Sequence, residues 1–394
     1  MKKLIGVIIS LAVFAVAVAL AFEFSYKISP DEFITDRTTF IYSNKNLNEE
    51  KIKKLEKIFG LENIEDKEIV KKIDSIYLLS QSRFYSENIK IVGIVDTGKY
   101  FPAMYLKLKD FFNQRDDYFY QLKDELKEKA GISQDENVYL KAYRGLFFVG
   151  TDIDTINRII HGNSKKSLKV IDIINQRAEN DLGTVILNQE RERLLGIDRV
   201  VLSGNTEGKK VILDGSIYGD NSIIKDLSSQ PVVRRMNKYI DENRLYFSTA
   251  NLKILDTFIL RAVSYTYGNR QLNIIQDLFL KGSIDIFSQL NGEIVVDVEN
   301  GNYLFGIKNS DNAEKYVEYF KDDEEINIEK DREGNIYICI GEDTFVPVQN
   351  KKELTPNQFF SGKMDTYYGK IEAEGFYETD SLRIKAVIEL NEEI

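Results

Sequence analysis

The chain opens with an uninterrupted apolar run, Leu4 to Phe22, behind Lys2 and Lys3. After it the pattern changes to short apolar runs broken by polar turns. Stretches such as "TTFIYS", "DSIYLLSQS" and "NIKIVGIV" are runs of strand length bounded by polar residues and are expected to be strands. Helical spacing is rarer. Ile52, Leu55 and Phe59 share a face behind Asn48 as cap, with Gly60 as stop. Phe101, Tyr105, Leu108 and Phe112 repeat the pattern, and a polar stretch from Tyr118 to Lys129 is expected to be helical. Hairpins are expected at Arg144-Gly145, at Thr206 to Gly208 and at Asn300-Gly301. Two more are expected over 324–341 and 369–390.

These elements recur in the same order. "TTFIYSNKNL" from Thr38 resembles "NRLYFSTANL" from Asn243, "GIVDTG" from Gly93 resembles "GIKNSD" from Gly306, and "FFVGTD" ending at Asp152 resembles "ICIGED" ending at Asp343. The expected fold class is therefore α+β: two copies of a mainly antiparallel sheet unit with packed helices, preceded by an N-terminal transmembrane helix. The expected division is an anchor over 1–22, a connector over 23–35, a first repeat over 36–226 and a second over 227–394.

The apolar run sets the expected location. About 20 apolar residues span a bilayer as a helix, and the basic start stays inside. The expectation is a single-pass anchor in the cell membrane with the body outside the cytoplasm. The alternative is a secreted or periplasmic body released after Ala21, behind the Ala19-Leu20-Ala21 exit. Residues 4–22 would then be the membrane contact.

Composition narrows the chemistry. There are 63 acidic against 53 basic residues, giving a net charge of -10, so nucleic acid is not an expected partner. One cysteine, Cys339, and one histidine, His161, exclude disulfides and Cys/His zinc sites within the chain. Cys339 reads as a strand residue. His161, just before Gly162, reads as a helix end. Thr151 reads as the cap of the next helix with Asp154 as its capping-box acid, and this accounts for the Asp152/Asp154 pair without a metal. "EKDREGNIYI" has a faint calcium-loop look but reads as a hairpin turn.

One motif carries possible chemistry. Asp96-Thr97-Gly98 follows a strand, as the catalytic carboxylate does in aspartic proteases. Such enzymes need two carboxylates sharing a proton, and this chain has one such motif, so the second would come from a dimer partner. In the repeat, Asp96 falls on Asn309, Thr97 on Ser310 and Gly98 on Asp311. The shared feature is then a hydroxyl residue at a strand-to-helix junction, and Thr97 is expected to be a helix cap.

The segments "YRGLFFVGTDIDTINRII" and "KGSIDIFSQLNGEIVVDV", each leading into a further strand or helix, resemble a group of uncharacterised bacterial envelope proteins. The resemblance implies an exported, duplicated α+β body and no known activity. The expected function is a non-enzymatic binding or assembly role, with an envelope protein or a lipid as possible partner. The alternatives are an aspartic-type peptidase working as a homodimer through Asp96, and a lipid or small-molecule carrier. No catalytic, cofactor-binding or metal-binding residue is assigned.

Overall fold

A computed structural model describes residues 28–58, 71–82, 89–116, 118–127, 131–189, 197–219, 234–240, 244–249, 290–297, 300–307, 326–340, 345, 347, 354–366 and 369–391. The chain divides into two compact units. The first holds residues up to Arg191 together with Ser203–Asn205, and the second holds Glu192–Leu202 and Thr206–Ile394.

The first unit contains β1 (Phe40–Asn44), α1 (Glu49–Ile58), β2 (Ser75–Ser80), β3 (Ile91–Asp96), α2 (Phe101–Phe111), β4 (Phe112–Gln114), β5 (Tyr120–Leu122), α3 (Asp124–Lys127), β6 (Tyr139–Tyr143), β7 (Leu146–Gly150), α4 (Ile153–His161), α5 (Leu168–Gln176) and β8 (Thr184–Asn188). Its strands pair antiparallel in the order β8-β1-β2-β3-β7-β6-β5-β4. Residues in register share a face. Ser43, Tyr77, Ile94 and Phe148 form one such row, all buried. A short strap, with a 3-10 turn at Pro30–Phe33, crosses this face, and Phe33 meets Phe148 edge-on at 4.9 Å. The other face carries Val95, Phe147 and Ala142, and α2 packs there, with Phe101 stacked on Phe147 at 4.6 Å. Each side chain buried in this way contributes roughly 1.5–3 kcal/mol.

The second unit contains β9 (Ile197–Glu207, apart from Ser203–Asn205), β10 (Lys210–Gly219), β11 (Arg244–Ser248), β12 (Leu290–Asp297), β13 (Asn302–Ile307), β14 (Ile326–Lys330), β15 (Ile336–Ile340), β16 (Gln358–Thr366), β17 (Gly369–Tyr377) and β18 (Ser381–Leu390). Their order is β14-β15-β13-β12-β11-β16-β17-β18-β10-β9. Tyr246, Val295, Leu304 and Cys339 form the buried row. Met236, Tyr239 and Ile240 of a second strap, which has a 3-10 turn at Asn237–Tyr239, lie in the same core cluster.

The six strands β8-β1-β2-β3-β7-β6 and β16-β11-β12-β13-β15-β14 thus follow one order, and each set is preceded by a strap. The residue matches behind the expected repeat are less secure. Gly93 lies on the half-exposed face of β3 between buried Val92 and Ile94, whereas Gly306 is buried on the face of Leu304. Equating the two would exchange the faces of the strand, so the match of "GIVDTG" to "GIKNSD" fails.

The expected α+β class with packed helices is corrected: strands dominate the described residues, and the described part of the second unit has one 3-10 turn and no α-helix. The expected transmembrane helix is corrected as well. Among the described residues no helix is long and apolar enough to cross a membrane. The longest, α2, has 11 residues against the roughly 20 a bilayer needs. The single-pass placement at the cell membrane is corrected with it: none of the described helices supplies the anchor. Residues 4–22, on which that placement rested, lie outside the described residues. The polar stretch after Tyr118 is corrected in part: Asp124–Lys127 is helical, but Tyr120 to Leu122 is a strand, held by β4, by β6 and by a 3.2 Å contact between the Tyr105 and Tyr120 hydroxyls.

Candidate functional site

The Asp-Thr-Gly motif ends β3, with Asp96 in register with Ser75 and Leu146. Asp96 is 4% exposed, and its Oδ1 accepts the Gly98 amide at 2.7 Å. Gly98 takes a φ of 53°, the left-handed region glycine enters without strain, and starts the 3-10 turn Gly98–Tyr100 that leads into α2. The carboxylate therefore organises its own corner. Thr97 was expected to cap the helix, and it does not. Its hydroxyl makes no cap bond and is buried without a hydrogen-bond partner, while its carbonyl accepts the Tyr100 amide at 2.9 Å.

The next junction is also capped one residue away from expectation. Asp152, not Thr151, is the N-cap of α4, and its Oδ2 accepts the Thr155 amide at 3.0 Å and the Thr155 hydroxyl. The Thr155 hydroxyl and then Lys90, 3.1 Å away, hold the Asp152 carboxyl below the usual carboxylate range. His161 ends α4 before Gly162 and lies edge-on to Tyr143 at 5.7 Å. Cys339 is a buried strand residue in the second core. Among the described residues, no group of three or more His, Cys, Asp or Glu side chains is arranged to hold a metal ion.

The densest polar clusters lie under the two straps. In the first unit the Tyr77 hydroxyl donates to Asp31 Oδ1 at 2.8 Å, and Lys45 Nζ donates to Asp31 Oδ2 at 2.8 Å and to Asn175 at 2.6 Å. In the second unit Asp331 accepts from the amides of Glu333 and Asn335, from Asn335 Nδ2, from the Tyr337 hydroxyl and from Lys238. Burial alone would raise the Asp331 pKa. The bonds from Lys238, Asn335 and Tyr337 outweigh it and hold the carboxyl well below the usual range. This is the turn with the calcium-loop look, and Lys238 supplies the cation. In both units the lysine also lies over the tyrosine ring, Lys45 5.7 Å from Tyr77 and Lys238 5.5 Å from Tyr337.

Glu293 is the most buried of the described carboxylates in the second unit, fully enclosed on β12. Its oxygens accept the amides of Arg235 and Met236 at 2.9 to 3.1 Å, the Tyr246 hydroxyl at 3.1 Å and Asn291 Nδ2 at 3.2 Å. Burial pushes its pKa up, against the pull of those donors. Burial likewise pushes the Tyr77, Tyr246 and Tyr337 hydroxyls upward, and Tyr239 to about 12. These tyrosines stay protonated, and Tyr77, Tyr246 and Tyr337 donate to Asp31, Glu293 and Asp331. Sequence reasoning missed the two clusters of the second unit because their partners are far apart in the chain: 58 positions separate Arg235 from Glu293, and 93 separate Lys238 from Asp331.

The chain matches no family model and no curated protein. Solved structures of TP0453 give weak alignments. Crystal form IV covers 50% of this chain and 82% of that one at 10% identity, with a TM-score of 0.31. Crystal form III covers 50% and 81% at 10% identity, with a TM-score of 0.32. Likeness at that level carries no argument about fold or function.

Proposed function

We propose that this chain is a non-enzymatic binding or assembly protein that works through its sheet surfaces. The observation that supports this reading is how its buried and half-buried carboxylates are used. Asp31 ties the first strap to Tyr77, Asp152 caps α4, Glu293 holds the amides of the second strap, and Asp331 holds its own turn and Lys238. A group committed to such bonds is poorly placed to exchange protons with a substrate.

The sheet offers an accessible surface instead. On one face of β17, β18 and β10, Glu374 and Asp214 both lie in register with Lys385, and Arg383 pairs with Asp214 at 2.7 and 3.1 Å. A photo-crosslinking residue at Glu372 or Lys385, both exposed, is expected to capture a discrete partner, and reversing the charge at Lys385 is expected to remove the adduct. The reading is overturned if the purified chain turns over a substrate and Asp96→Asn slows that turnover without loosening the fold.

A further inference from the structure

We infer that β14 is the edge through which two copies of this chain pair. This names a partner for the assembly reading and rests on it. The starting observation is a difference between the two six-strand sets. In the first, β6 is covered on its outer side by β5 and β4. Residues 97–138, between β3 and β6, supply α2 and that hairpin. The corresponding connection in the second, residues 308–325 between β13 and β14, is less than half as long. It is too short for both a helix of that size and a two-strand hairpin. Among the described residues, β14 pairs with β15 alone.

The register says which groups the edge presents. The Asp331 amide donates to the Asn335 carbonyl at 3.0 Å. Hydrogen-bonded pairs alternate in an antiparallel ladder. Asn327 and Glu329 therefore turn their backbone groups toward β15, while Ile326, Ile328 and Lys330 turn theirs outward. An open row of donors and acceptors is a template for another strand.

A second copy fits that row. With a two-fold axis at Ile328, each Ile328 faces its own copy, Ile326 faces Lys330 and Asn327 faces Glu329. All three outward residues are then hydrogen-bonded, and no like charges oppose one another within the strand. Sliding the copies one way sets Glu329 against Glu329 and then Lys330 against Lys330. Sliding them the other way shortens the ladder. A two-fold, self-complementary contact of this kind closes as a dimer. Five residues a side bury less than the roughly 1,200 Å² of a standard stable interface, so the pairing is weak and depends on concentration.

The test is sedimentation of the full chain over a wide concentration range, together with crosslinking. Wild type is expected to shift from monomer to dimer as concentration rises. In a Cys339→Ser background, Ile328→Cys is expected to form a disulfide dimer on mild oxidation. Directly opposed, hydrogen-bonded residues have Cα atoms about 5.5 Å apart, within disulfide reach. Ile328→Pro removes an outward amide and leaves the β15 ladder intact, so it is expected to give a folded monomer. Ile328→Lys keeps the backbone and places like charges at the axis, so its dimer is expected to weaken at low salt and recover at high salt. A chain that stays monomeric at every concentration, or an Ile328→Cys crosslink no faster than one at exposed Glu378→Cys, overturns the inference. If that monomer still captures a different protein from Glu372 or Lys385, only self-pairing falls and the assembly reading stands.

Discussion

Replacing Asp331 with alanine removes the acceptor at the centre of the second unit's strap cluster. Its side chain is 6% exposed and that of Lys238 is 16% exposed, so solvent does little to replace the pair. Water reaches the turn amides of Glu333 and Asn335, and their loss costs least. The Tyr337 hydroxyl belongs to a fully buried residue and would lose its carboxylate. Removing one partner of a buried ion pair costs about 3–5 kcal/mol, and that is the expected loss for Asp331→Ala. Asp331→Asn keeps the shape and one acceptor oxygen, so it should lose roughly 1–3 kcal/mol. The pH dependence has a definite sign. The folded carboxyl is held below its ordinary value, so its contribution is fully present above about pH 4, the unfolded value. It is lost as pH falls from there toward the folded value. The gap between wild type and Asp331→Asn should therefore shrink between pH 6 and pH 3. Hydrogen exchange of the β14 and β15 amides reads this locally, without assuming one transition for both units. A gap under about 1 kcal/mol for Asp331→Ala at pH 7, below that buried-pair range, or a gap for Asp331→Asn that does not change between pH 6 and pH 3, would refute the reasoning.

Three further outcomes follow from the same geometry. Glu293 has a raised pKa, so its contribution is complete below its unfolded value and declines as pH rises through the folded one; unfolding curves should show wild type losing ground to Glu293→Gln as pH rises. Thr97→Val removes a buried, unpartnered hydroxyl and should be neutral or slightly stabilising by thermal unfolding, where loss of a true cap would cost about 1 kcal/mol. Gly183→Ala should destabilise by at least about 2 kcal/mol in urea, because φ is 76° and a Cβ there would lie 2.4 Å from the Ser43 carbonyl oxygen.

The strands were legible because a short apolar run between turn residues is a local property. Tyr77, Ile94 and Phe148 stand in such runs, and all three are buried in one row. The turns were legible for the same reason: Arg144 and Gly145 both take positive φ, as a two-residue hairpin requires. At both junctions the side chain that accepts the backbone amide stands next to the expected hydroxyl, and the physics is common to the two. Thr97 and Thr151 were favoured as hydroxyl caps, yet in each case the neighbouring aspartate, Asp96 or Asp152, makes the bond to the backbone. A carboxylate accepts more strongly than a hydroxyl, and pattern reading alone does not say which of two adjacent side chains points at the amide.

The repeat shows where thin identity misleads. "GIVDTG" and "GIKNSD" share residues, but burial puts Gly93 and Gly306 on opposite faces. The ladders give a different equivalence: Ile94 stands in the row of Tyr77 and Phe148, and Leu304 in the row of Val295 and Cys339. Asp96 therefore has no counterpart at Asn309, and comparison with Asn309 says nothing about its role. What assigns that role is the 2.7 Å bond to the Gly98 amide, a contact made two residues along its own chain. Strand order survives where residue matches do not, because order is fixed by many cooperating pairings and a six-residue match is not. The same order points to the edge at β14: β6 and β14 hold the same place, and among the described residues only β6 has a hairpin beside it.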